Sequence, residues 1–224
     1  MCRSRSYSKE QVVGSRLLGR TEQPYFTPGF APALPLEHAV RIRSLDGPPI
    51  KELAASNANP IVCDTKELSW FSSEQQTGLV TVDTDRTQAL VGFLKANHKT
   101  LRNLSADITK NFAALVLSSL DGQPLARSTG MLLTAGSRVA NTGMKWNDTH
   151  TRLQSQGGSP SLIEPVAGTV TLRNLEKVSA VSIVALDGAG KPLGGALQGR
   201  KTTDGWTFHI GDPVTTWYVI TVRR

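Results

Sequence analysis

Asp83 and Asp85 stand two residues apart in the run Gly78-Leu-Val-Thr-Val-Asp-Thr-Asp85, and an extended backbone would carry both carboxylates on one face. At a rise of about 3.3 Å per residue they would lie roughly 6.5 to 7 Å apart. Inverting glycosidases hold their two carboxyl groups about 6.5 to 9.5 Å apart, so that one protonates the glycosidic oxygen while the other activates water. The same spacing also suits a solvated strand end, with Asp85 capping the turn and pairing with Arg86. Glu164 sits between Ile163 and Pro165. Those apolar neighbours would allow a lone buried acid whose pKa is raised by desolvation. The reading the position favours is a strand-edge carboxylate held by an arginine or a backbone amide.

A second kind of chemistry comes from indoles. Trp146 lies in the polar run Thr142-Gly-Met-Lys-Trp-Asn-Asp-Thr-His150, with Asn147 and Asp148 beside it and no apolar alternation around it. An exposed indole covers the C–H face of a pyranose while neighbouring amide and carboxylate groups bind its hydroxyls. Trp146, Asn147 and Asp148 are therefore the first candidate sugar-binding set, against the alternative that Trp146 plugs the end of a sandwich. Trp70 and Phe71, in a short strand before a polar turn, are a second platform. Trp206 alternates with Phe208 and Ile210, and Trp217 with Val219, so both indoles are expected in the core.

Other chemistries find little support. Cys2, Cys63 and the histidines His38, His98, His150 and His209 show no ligand spacing, so no metal site is expected. Neither a G-x-S-x-G elbow nor a glycine-rich phosphate loop occurs, and no cofactor is expected. The 25 Lys and Arg exceed the 18 Asp and Glu by 7. Residues 1–20 hold five basic residues and one acid, so they carry +4 of that +7 and leave only +3 for the rest. A nucleic-acid partner is not expected of such a body. No run approaches the roughly 18 apolar residues of a membrane helix, and the basic front end lacks the apolar core of a secretory signal. If the parent protein is exported, as expected, its signal lies on another part of a longer gene product.

The elements that must position these residues are short and punctuated. Residues 1–20 are polar and basic, with a helical stretch possible over 10–18. Pro24, Pro28, Pro32 and Pro35 deny donors to residues 21–36, which predicts an irregular arm, without helix, that can strap onto a neighbouring subunit through Tyr25, Phe26 and Phe30. From residue 37 onward, period-two or β-branched runs predict strands at 38–45, 78–84, 87–94, 112–120, 168–175, 178–186, 205–210 and 216–222, and another follows the turn at Asp121-Gly122. Asp-Gly recurs at 46–47, 121–122 and 187–188 between an apolar run and a proline restart, as hairpin turns demand. The expected fold is all-β, an antiparallel β-sandwich of one large or two small units. Its divisions are a tail and arm at 1–36, a sandwich at 37–155, and strands at 156–224 that complete it or form a small second unit.

Gly78 to Phe93, the strand ending in Leu120-Asp-Gly-Gln-Pro-Leu125, Met131-Leu-Leu-Thr-Ala-Gly136, Asn141-Thr-Gly143, Ile163 to Leu172 and the closing Trp217-Tyr218 together carry a resemblance. Over about residues 60–224 the chain resembles the non-catalytic β-sandwich region toward the C-terminus of large bacterial glycoside hydrolase-like proteins. Asp85 stands where that pattern carries proline. The resemblance implies an accessory module that binds plant-type polysaccharide or supports a parent catalytic domain. Two alternatives remain: a small endo-acting glycoside hydrolase for β-glucan or xylan using Asp83, Asp85 or Glu164, and a structural fragment that self-associates through its proline-rich arm.

Overall fold

The computed structural model describes residues 34–39, 58–73 and 77–224. The tail, most of the proline-rich arm and residues 40–45 of the first expected strand lie outside the described residues. The described residues fall into two compact units that part between Ser72 and Ser73.

In the first unit, Leu34–Glu37 forms one helical turn, closed by the His38 N–H on the Leu34 carbonyl at 2.9 Å. This corrects the expectation of no helix through residue 36. Pro35 falls in a first turn, where a missing N–H costs nothing and its fixed φ suits the helix. Strands β1 (Ile61–Val62) and β2 (Leu68–Phe71) pair antiparallel, with Trp70 opposite Ile61. The Asn59 side chain clamps the hairpin base through both its amide atoms to the backbone of Ser72.

The second unit is the sandwich. Its strands are β3 (Leu79–Asp83), β4 (Thr87–Phe93), β5 (Leu104–Ile108), β6 (Phe112–Ser119), β7 (Gly130–Gly136), β8 (Val139–Thr142), β9 (Lys145–Trp146), β10 (Leu153–Ser155), β11 (Gly158–Ile163), β12 (Gly168–Leu172), β13 (Ala180–Leu186), β14 (Leu197–Gln198), β15 (Arg200–Thr202), β16 (Gly205–Ile210) and β17 (Trp217–Arg223). One sheet runs β3-β4-β6-β7-β17-β13-β14, the other β15-β16-β12-β5, and every pairing is antiparallel. Strands from both sides of residue 155 share each sheet: β7 pairs β17 and β5 pairs β12.

Period-two alternation builds the core. In β6 the buried residues are Ala113, Leu115 and Leu117, in β7 Met131, Leu133 and Ala135, and in β13 Val181, Ile183 and Ala185. Leu104, Ile108, Val170, Leu172, Phe208 and Ile210 meet them from the smaller sheet. At about 25 cal/mol per Å² of buried apolar surface, this shared interior is what drives the two sheets together.

Three local expectations change. β4 stops at Phe93, and Leu94–Asn97 turns helically, because Gly92 has φ +138° and the Asn97 side chain donates to the carbonyls of Phe93 and Thr77. The β6–β7 hairpin forms, but residues 120–129 make its loop instead of Asp121-Gly122 alone. Trp217 is 38% exposed, while Tyr218, Ile220 and Val222 face the core. The expected register of β17 was therefore one residue off: both faces of that strand carry apolar residues, and the sandwich takes the side that begins with tyrosine.

Candidate functional site

Between Arg138 and Pro165 the chain leaves the sandwich, and none of these residues is buried. Two two-stranded ribbons form there. β8 pairs β11, placing Val139 opposite Ile163, and β9 pairs β10, placing Trp146 opposite Leu153. Trp146 is 44% exposed and takes no part in the core, so it does not plug the sandwich. A two-residue strand holds it where sequence reading saw only a loop.

The loop after Trp146 is built by Asn147. Its Oδ1 accepts the N–H groups of Thr151 and Arg152, both at 2.9 Å, and its Nδ2 donates to the hydroxyls of Thr149 and Thr151. The backbone also closes between the Asn147 N–H and the Arg152 carbonyl at 3.0 Å. The Asn147 amide is thereby spent on holding the turn that follows the indole. Asp148 is exposed, and among the described residues its side chain has no hydrogen bond or ion pair. Trp146 and Asp148 are left in solvent, as are Thr149, His150, Thr151 and Arg152.

Trp70 is 41% exposed on β2, and Phe71 beside it is half-buried. They lie in the first unit, next to a turn that gathers donors around Cys63. Burial pushes the Cys63 thiol up, but hydrogen bonds with the Thr65 hydroxyl and from the N–H groups of Leu68, Thr65 and Glu67 outweigh it and draw it below the ordinary thiol range. His38 Nδ1 lies 2.8 Å from Asp64 Oδ2 in the same unit. Among the described residues, no group of three or more His, Cys, Asp or Glu is arranged to hold a metal ion.

The carboxylates have structural employment. Arg102 donates from Nε to Asp83 Oδ1 at 2.9 Å and from Nη1 to Asp85 Oδ1 at 2.8 Å. Asp83 also accepts Gln88 Nε2 at 2.7 Å and the Arg102 backbone N–H at 3.2 Å. An arginine thus bridges the pair, standing where an inverting site must admit water. The two acids in turn raise the Arg102 pKa above its ordinary value, chiefly through the hydrogen bonds to Asp83 and Asp85.

Of its two readings, Glu164 takes that of a carboxylate held by partners and not that of a lone buried acid. The Ser137 hydroxyl donates to Oε2 at 3.0 Å and Lys110 Nζ lies 3.3 Å from Oε1. Ser137 first, then Lys110 and Arg138, hold the carboxyl below the usual carboxylate range. Ile163 beside it is 51% exposed, so the apolar neighbours in sequence do not desolvate it.

Two further features were not read from sequence. A buried network joins Gln88 and Asn103: Gln88 Oε1 accepts the Asn103 N–H at 2.9 Å, and Asn103 Nδ2 donates to the Arg173 carbonyl at 2.9 Å. The sandwich also carries two shallow cavities of about 210 Å³ each. One lies over the outer face of β5 and β12, lined by Thr169, Thr171, Ser105, Asp107 and Lys99. The other opens at the β15–β16 turn beside Trp206. Trp206, expected in the core, packs against it but is only half-buried.

Comparison with protein-family models, with curated proteins and with solved structures finds no match to this chain.

Proposed function

We propose that the chain is a carbohydrate-binding accessory module of a glycoside hydrolase-type parent protein, with Trp146 as its principal platform for plant-type polysaccharide. The observation that carries the reading is the Trp146 indole, 44% exposed on a ribbon that contributes no side chain to the core. An apolar ring left in water at the tip of a built turn is costly unless something covers it, and a pyranose C–H face suits its shape. Asp148, two residues on, supplies an unspent acceptor for sugar hydroxyls. A catalytic role is disfavoured by the hydrogen bonding of the carboxylates: Asp83 and Asp85 share Arg102, and Glu164 is held ionised by Ser137 and Lys110.

Affinity electrophoresis in β-glucan and xylan gels, beside turnover assays on the same polymers, tests this reading. Retardation without release of reducing ends is the expected result. Turnover lost in Asp83→Asn or Glu164→Gln would replace the proposal with the hydrolase reading.

A second reading rests on a different part of the ribbons. Val139 is 61% exposed, Leu162 56% and Ile163 51%, and the first and last are cross-strand partners. Val139 and Ile163 share one ribbon face and Leu162 lies on the other. The exposed pair of Val139 and Ile163 suits docking on protein, including the parent catalytic domain. In that case Val139→Asp would abolish a protein complex and leave polysaccharide retardation unchanged.

A further inference from the structure

The β15–β16 turn places a lysine and an indole at one cavity mouth. β16 lies between β15 and β12, so Trp206 is flanked across the ladder by Lys201 on one side and Leu172 on the other. Gly205 lets the turn press onto the end of β12. Its φ is +140°, and a Cβ there would sit 2.1 Å from the Leu172 carbonyl oxygen. The shallow cavity of about 210 Å³ that results is lined mainly by polar groups, with Lys201, Asp204 and Asn174 on its rim, and Trp206 and Leu175 are its apolar part beside the fully buried Leu172.

That rim is fixed by the Arg102 bridge. Asn174, in the left-handed region at φ 52°, donates from Nδ2 to the Arg102 carbonyl at 2.7 Å. The Arg173 N–H donates to the Asn103 carbonyl at 3.0 Å. The 173–175 wall therefore hangs on residues that Asp83 and Gln88 already hold, which preorganises it. Its charges are unequal. Asp204 has Arg173 Nη1 at 3.7 Å, whereas Lys201 is exposed and has no ion pair or hydrogen bond from its ammonium among the described residues. A half-buried indole among polar groups gives a site that can stack one ring and hydrogen-bond its hydroxyls. Here the unspent group on the edge is a cation.

We infer that this cavity is a subsite for an acidic sugar, a uronic acid carried on or ending a polysaccharide chain, with its ring over Trp206 and its carboxylate on Lys201. The inference rests on the carbohydrate-binding reading and names the sugar class at a site distinct from Trp146. The ammonium pairs with the carboxylate through a charge-assisted hydrogen bond, while the indole takes the apolar face of the ring. Binding at this subsite weakens with salt, because an exposed ion pair is screened.

The test follows the Trp206 indole N–H in isotope-labelled full chain titrated with methyl glucuronide, methyl glucoside and sodium sulfate at matched ionic strength. The glucuronide is expected to shift Trp206 saturably and about tenfold more tightly than the glucoside, the worth of one charge-assisted hydrogen bond. Sulfate alone is expected to shift it little. Lys201→Ala should remove the preference, Lys201→Arg should keep most of it, and neither touches the core. Equal response to both sugars, an equal response to sulfate, or an unchanged preference in Lys201→Ala overturns the inference. Trp146→Ala should leave the Trp206 response intact. Polysaccharide retention that depends on Trp146 while Trp206 stays silent sinks this subsite and spares the proposed function. A Trp206 response without any Trp146-dependent retention does the reverse for the Trp146 platform.

Discussion

Arg102 reaches Asp83 three times: through its backbone N–H, through Nε, and through Nη2 onto the Asp83 carbonyl. Asp83 is the more enclosed of its two acids, with 26% of its side chain exposed against 70% for Asp85. The two substitutions should therefore separate. Asp83→Ala is expected to cost about 1–2 kcal/mol, as loss of charged hydrogen bonds does. Asp85→Ala should cost less than about 1 kcal/mol, as exposed pairs do. Urea unfolding of the two variants measures both; equal losses would mean that Arg102 does not discriminate between them.

Gln88 and Asn103 form the buried end of the same assembly. Gln88→Leu keeps the volume but leaves the Asn103 N–H without its acceptor, which is expected to cost about 1–3 kcal/mol. The m-value should stay unchanged, since no surface is newly exposed in the folded state. A neutral Gln88→Leu would mean that Asn103 finds another acceptor.

Much of the sandwich was legible because Phe208 and Ile210, or Leu115 and Leu117, alternate with half-buried or exposed partners. Trp217 was misplaced because β17 offers apolar residues on both faces, and period two alone cannot choose between them. β5 was not anticipated: Leu104, Ala106 and Ile108 alternate, but Ser105 and Asp107 dilute the apolar run. The role of Asp83 was not legible either, since Arg102 arrives from 19 positions away. That Glu164 is a held carboxylate was legible, but its partners, Ser137 and Lys110, come from the ends of other strands and were not. Trp146 stood out through the polarity around it, but the Asn147 bonds that shape its turn needed coordinates.

Tyr218 anchors the end of β17. It is fully buried, its phenol accepts the Gly211 N–H at 2.9 Å, and burial raises its pKa despite that bond. Tyr218→Phe is expected to cost about 1 kcal/mol, because the Gly211 donor loses its partner. Chemical denaturation reads this directly; an unaltered midpoint would show that water replaces the phenol.

Asp121 should govern the acid limb of stability. Its carboxylate accepts the Thr129 N–H at 2.7 Å, the Gln123 N–H, and the hydroxyls of Ser119, Ser128 and Thr129. The Thr129 N–H foremost, with the hydroxyls, depresses its pKa far below the ordinary range. A depressed folded-state pKa contributes stability that is complete above the unfolded value, about 4, and declines as the pH falls below it toward the folded value. Asp121→Asn should lower Tm at neutral pH and flatten the fall of Tm between about pH 4 and pH 2. Calorimetry across that range would contradict this if wild type and variant ran parallel.

The measurement that bears most directly on the account is polysaccharide retention by Trp146→Ala, with Tm recorded on the same sample. Stacking one sugar on an indole is worth on the order of 1 kcal/mol beyond area burial. Retention should therefore fall roughly tenfold, since about 1.4 kcal/mol is a factor of ten. Tm should stay within a degree or so of wild type, because the ribbon gives the core nothing. A folded variant that keeps full retention contradicts the account and moves the platform to Trp70 and Phe71, and a variant that melts far lower contradicts it by making the indole structural.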